Sequence, residues 1–159
     1  MGKVNLKKVF LLVIISAFLF FTTTCVYDSG IGMGIINRTN DTILVCYARY
    51  NNIDSVVFCI GLGDFPIEFD DTKKIITSDN NILVPDSVGW YHERGTKNSF
   101  FRYNEDNKGY FFFIKLETVE NYTWDEIRGS KLYEAMTVTR EMLNKNDWKI
   151  DYYSKENCN

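Results

Sequence analysis

Residues 42–50 constrain the fold more than any other segment. The run is rich in β-forming residues and is apolar on both faces except at Arg49. Successive strand side chains point to opposite sides, so a strand that is apolar on both belongs in the middle of a sheet. Asn51-Asn52 ends it, and residues 55–60 form a second short strand. Ile35-Ile36 leads in through the turn-forming cluster Asn37-Arg38-Thr39-Asn40-Asp41. Residues 61–71 read as a loop. Residues 74–77 and 82–84 flank Ser78-Asp79-Asn80-Asn81 and are expected to pair as a hairpin, with Pro85 ending the second arm. Residues 88–103 gather Trp90, Tyr91, Phe100, Phe101 and Tyr103 around a polar turn at residues 94–98 without a clear period.

The C-terminal third has sharper patterns. Tyr110, Phe112, Ile114 and Leu116 fall on one strand face. Phe111, Phe113, Lys115 and Glu117 fall on the other, which is expected to be half buried and then solvated. Thr123 followed three residues later by Glu126 has capping-box spacing, so a short helix is expected from Trp124 to about Arg128, ended by Gly129. A strand over residues 132–138 follows. Thr139 then reads as the N-cap of a helix over residues 140–144, and Trp148, Ile150 and Tyr152 alternate with polar neighbours in a last strand. Many short strands with two short helices predict a mainly β fold, a β-sandwich or a bent antiparallel sheet. An α+β sheet packed by those helices is the alternative. At 159 residues the chain suits one domain.

The N-terminus indicates a compartment. Lys3, Lys7 and Lys8 precede thirteen residues, 9–21, that are apolar except for Ser16; three threonines and Cys25 follow. A cationic start, a short apolar run and a small-residue exit are the pattern of a secretory signal peptide. The Cys after the run resembles the acylated cysteine of bacterial lipoproteins. That resemblance implies removal of residues 1–24, a lipidated Cys25 and a flexible tether over residues 25–34, where Gly30, Gly32 and Gly34 cluster. The globular domain would then span residues 35–153, with a polar tail over 154–159. A retained membrane helix over residues 9–27 and a soluble secreted product are the other two outcomes. Loss of three lysines takes the formal charge from −3 to −6. Neither value suits a basic nucleic-acid-binding module, and no nucleic-acid partner is expected.

Of the four cysteines, Cys46 and Cys59 lie in strand-like runs thirteen positions apart. Adjacent strands would make them a possible disulfide. Two buried free thiols are the other reading. Cys158 sits in the polar tail. No Cys-x-x-Cys pair supports a zinc or thioredoxin-like site, and no cofactor is expected.

Residues 110–153 resemble a family of uncharacterised envelope lipoproteins from Bacteroidetes. The resemblance rests on Tyr110-Phe111-Phe112-Phe113-Ile114, Trp124-Asp125-Glu126-Ile127, the Thr139-capped turn and Trp148-Lys149-Ile150-Asp151-Tyr152. It implies an envelope lipoprotein without catalytic residues or cofactor, and the function expected here is a non-catalytic module held to the membrane by its N-terminal lipid and binding an unknown protein or glycan. Surface lipoproteins of this group often carry acids directly after the cysteine. Here Val26-Tyr27-Asp28-Ser29 follows, which favours an outer-membrane protein facing the periplasm.

Other candidate chemistry is sparse. His92 is the only imidazole, and Asp64, Glu68, Asp70 and Asp71 crowd one loop, so a small envelope hydrolase would use one or the other. A solvated loop explains the acids as well. Gly61-Leu62-Gly63 is too short for a phosphate loop. Tyr47, Tyr50, Tyr91, Tyr103, Tyr133 and Tyr153 are candidates for a carbohydrate- or protein-binding face. Thr42, Ser55 and Ser87 each follow Asp and precede an aliphatic residue, a pattern similar to O-glycosylation sites of exported Bacteroidetes proteins. Turn-to-strand junctions have the same composition.

Overall fold

A computed structural model describes residues 31–61, 64–93, 97 and 99–154. The leader, Cys25 and Cys158 lie outside the described residues. The fold is mainly β, as expected, with two sheets and four short helices where two were anticipated.

The central strand forms as predicted. All six residues of β2 (Ile43–Ala48) are buried. One edge pairs along its whole length with antiparallel β7 (Gly109–Lys115), from Ile43 opposite Lys115 to Ala48 opposite Tyr110. Two strands share the other edge. β5 (Ile82–Leu83) pairs with Ile43 and Leu44, and β3 (Val56–Ile60) pairs from Val45 onward. β4 (Asp64–Pro66) extends the sheet beyond β3, and β8 (Glu134–Val138) extends it beyond β7. A smaller sheet has β1 (Ile31–Asn37) at its centre. β6 (Val88–Glu93) is antiparallel on one side, and β9 (Lys149–Tyr152) is parallel on the other.

The two sheets enclose the first core. Tyr47, Phe111 and Phe113 from the large sheet meet Met33, Ile35, Tyr91 and Ile150 from the small one. Tyr47 is the hub, with its ring centroid 5.1–5.7 Å from those of Phe58, Tyr91, Phe100 and Phe111. Phe100 and Phe101 of α1 (Ser99–Arg102) close one end together with Trp148. The opposite face of β2 and β7 forms a second core. There Leu44, Cys46, Phe112 and Ile114 lie under Val119 of α2 (Leu116–Asn121) and Ile127 of α3 (Trp124–Gly129).

The two faces of β7 divide as expected, with Phe112 and Ile114 under the helices and Phe111 and Phe113 against the small sheet before the half-buried Lys115, but Leu116 and Glu117 begin α2 instead of prolonging the strand. The Thr123–Glu126 capping box forms with both reciprocal bonds, and Thr139 caps α4 (Arg140–Lys145) through Met142 N–H. α3 ends at Gly129, as expected, but the left-handed capping conformation falls on Lys131 at φ 54°, while Leu132 N–H bonds back to Ile127 C=O.

Three other expectations change. Gly32 and Gly34, expected in a tether, are paired strand residues of β1. The Ser78–Asn81 turn closes through Ser78 N–H to Asn81 Oδ1, but its arms do not pair with each other, because Ile82 and Leu83 join β2. Trp148 precedes β9. Its φ of 59° is unusual for a bulky residue, and its indole is held between Phe100, Phe101 and a bond from Nε1 to Asn144 Oδ1.

Gly61 sits where β3 gives way to β5. A Cβ there would lie 1.8 Å from the Asn80 carbonyl oxygen, and Gly61 C=O also accepts from Trp90 N–H at 2.8 Å. The clash is with backbone, so no rotamer relieves it. Gly61→Ala is expected to destabilise at least as much as Phe111→Ala, whose cavity costs about 3–5 kcal/mol. Tyr153→Ala at an exposed site changes stability by no more than about 0.5 kcal/mol. Urea midpoints of the three variants check this order.

Candidate binding surface

Strand alternation divides the small sheet into a wet face and a dry one. Met33, Ile35, Tyr91 and Ile150 point into the first core. The registers Gly32 with His92, Gly34 with Trp90 and Ile36 with Val88 place the alternate residues on the outer face, with Lys149 beside Gly34 and Asp151 beside Ile36. Val88, His92, Lys149 and Asp151 are exposed, and Trp90 is half-buried.

The half-burial of Trp90 has a local cause. A Cβ at Gly32 would meet the indole at 3.3 Å, and one at Gly34 would meet it at 3.5 Å. The ring therefore lies over a strip of β1 that has no side chains. Cross-strand contact between an aromatic ring and glycine covers backbone that would otherwise be bare. One side of the indole rests on this floor, and the His92 ring stands 6.5 Å away, centroid to centroid. At the other end of the face Arg38 donates from Nε to Asp151 Oδ1 at 2.7 Å and lies 3.5 Å from Asp86. Those carboxylates, Asp151 first, hold the guanidinium pKa above its ordinary value. The surface thus has an aromatic plate at its centre, an imidazole and an ammonium group at its margins, and the Arg38 guanidinium held by two carboxylates beyond.

The predicted site residues are scattered by comparison. The His92 side chain sits on the outside of the small sheet. Asp70 and Asp71 belong to the segment that covers the opposite, helical face, where Phe69 packs on Trp124 with centroids 6.1 Å apart and Trp124 N–H bonds to Lys73 C=O. The whole sandwich separates them. Asp70 Oδ1 accepts from Thr72 N–H, Thr72 Oγ1 and Lys74 N–H at 2.7–2.9 Å. Those bonds, the Thr72 hydroxyl first, lower its pKa, so this carboxylate holds a turn together. Glu68 lines a shallow cleft of about 180 Å³ with Ile76 and Asn81. The Asp64 side chain lies outside the described residues. No group of three His, Cys, Asp or Glu side chains gathers as metal ligands among the described residues.

The six tyrosines do not share a face. Tyr47 and Tyr91 are core residues, and the Tyr47 hydroxyl donates to buried Asn104 at 2.7 Å. Tyr133 lines a cleft of about 280 Å³ with Phe113, Leu132 and Tyr152. Tyr50, Tyr103 and Tyr153 are exposed. Tyr103 lies between the guanidinium groups of Arg49 and Arg102, at 6.0 and 5.8 Å. Ser55 and Ser87 close turns by donating to Asn52 C=O and Val84 C=O, each at 2.6 Å. Thr42 is half-buried beside β2 and its C=O accepts from Leu116 N–H. Cys46 and Cys59 do come together, directly opposite one another on β2 and β3.

Sequence reasoning missed the Trp90 surface. Its signal was the alternation Gly32-x-Gly34, which reads as a linker until β6 supplies the ring that fills the gaps. No family model matches the chain, and no curated protein or solved structure does either.

The Asp70 turn has a pH signature. A carboxylate whose pKa is lowered on folding stabilises the fold above its unfolded value near 3.8 and loses that contribution as pH falls through the folded value. Asp70→Asn keeps an acceptor oxygen without the charge. The variant is expected to lose less stability than the parent between pH 6 and pH 3, measured by urea midpoints.

Proposed function

We propose that this protein is an envelope lipoprotein, anchored through acylated Cys25, whose β-sandwich is a binding module without catalytic activity. The observation that carries the reading is the order of features at the start of the chain. Three lysines, the apolar run 9–21 and Cys25 are followed, after only five residues, by the central strand of the sheet that bears Trp90. Five extended residues reach at most about 18 Å. The Trp90 surface would therefore work close to the bilayer. The resemblance of residues 110–153 to Bacteroidetes envelope lipoproteins supports the same location, with the outer membrane and its periplasmic side as the expected address.

The surface suits the apolar face of a sugar ring. A half-buried indole supplies a flat, polarizable plate, and His92 and Lys149 stand where hydroxyl groups at a ring edge would be within reach. An envelope glycan is the ligand class that fits this chemistry.

Two measurements test the reading. The parent is expected to show the mass of an acylated N-terminus at Cys25 and to enter the detergent phase of a cloud-point partition; Cys25→Ser is expected to keep its leader and carry no acyl mass. Identical processing of both would remove the anchor. On an array of envelope glycans, Trp90→Ala is expected to weaken retention about tenfold or more, with Trp90→Tyr retaining most of it. Equal retention by parent and Trp90→Ala would remove the platform and leave the anchor standing.

A further inference from the structure

We propose that Cys46 and Cys59 form a cross-strand disulfide, made while the six-stranded sheet is still open and then sealed beneath its helical layer. The two residues are register partners on β2 and β3, with their sulfurs 3.3 Å apart. Opposed residues of antiparallel strands have Cα separations of about 4.5 or 5.5 Å, and disulfides span both. The bond therefore needs the sulfurs to close to about 2.05 Å without a change of strand pairing.

Their surroundings decide when this can happen. Both thiols are at most 1% exposed, among Leu44, Ala48, Phe112 and Ile75. The shared S–H···S contact and burial push the Cys46 thiol well above its ordinary range. The attacking species in disulfide exchange is the thiolate, which is disfavoured at Cys46, and neither buried sulfur is open to an oxidant. Among the described residues only β4, three residues long, lies outside β3, so Cys59 becomes accessible as soon as this margin of the sheet opens.

The oxidant is a disulfide, small-molecule or protein-borne. One cysteine thiolate attacks it, forming a mixed disulfide and releasing one thiol. The second cysteine then attacks the protein sulfur of that mixed disulfide and releases the other thiol. The two cysteines lose two electrons and two protons, and both appear in the two thiols released. The closed loop spans thirteen positions, for which the loss of unfolded-chain entropy corresponds to about a hundredfold in the folding equilibrium. This chemistry is independent of the proposed anchor and of the Trp90 surface.

The test uses the full chain, reduced and unfolded, then refolded in a mixture of reduced and oxidised glutathione. After unfolding, alkylation and tryptic digestion, peptides 39–49 and 50–73 are expected to be joined, two hydrogens lighter than their sum. The same buffer added to protein already folded in its reduced form is expected to oxidise the pair at least about tenfold more slowly, since the sheet must first open. The oxidised form is expected to exceed the reduced form about a hundredfold in folding constant from urea titration. Recovery of the two peptides unlinked and fully alkylated, or linkage of either to Cys158, would overturn the assignment. Equal oxidation rates for folded and refolding protein would overturn the order of events.

Discussion

The β2–β7 ladder is dry on both sides, and the other layers follow from that. An isolated sheet with two apolar faces cannot persist in water, so each face must acquire a cover. The small sheet covers one through Met33, Ile35, Tyr91 and Ile150. Helices α2 and α3 cover the other through Val119 and Ile127. The arrangement also sets the polarity of each element. β9, and β1 as far as Ile35, alternate inner apolar with outer small or polar residues because they have a single covered side. β2 and β7 do not alternate at all.

The glycines of β1 show how a strand can serve two purposes. Glycine weakens a strand interior, because it has no side chain to pack and loses the most backbone freedom. Trp90 offsets part of that loss by lying across the gaps at Gly32 and Gly34. In return, the glycines keep a large ring level with the sheet instead of forcing it upright. The exposed aromatic surface is thus a product of cross-strand packing, and its shape depends on residues nearly sixty positions earlier in the sequence.

Much of the architecture was legible from local signals. The central position of residues 43–48, the capping box at Thr123, the Thr139 cap and the closing alternation at Ile150 and Tyr152 all rest on periodicity or on contacts within a few residues. What was missed depends on distant partners. The switch from β7 to α2 at Leu116, where the apolar alternation runs on, belongs to the helical layer over Phe112 and Ile114, which a strand pattern read alone cannot anticipate. The arms around residues 78–81 diverge because β2 had an unpaired half-edge beside it, a vacancy visible only once β3 is placed. Gly32 and Gly34 have the composition of a linker and become strand only between β6 and β9. The six tyrosines illustrate the converse: composition marked them as alike, yet Tyr47 is the hub of the core and Tyr153 is at the surface. Cys46 and Cys59 were legible as a pair because both lie in short strands close in sequence.

The parallel pairing of β1 with β9 brings the first described strand against the last. The partners, from Gly34 with Lys149 to Asn37 with Tyr152, lie much further apart in sequence than those of the β2–β7 ladder, Ile43 with Lys115 to Ala48 with Tyr110. The smaller sheet thus closes on the strand pairing of longest range, and that pairing must wait until both strands are present. Deleting residues 149–152 would bare the edge of β1 that β9 covers, so this stretch is the clasp of the smaller sheet.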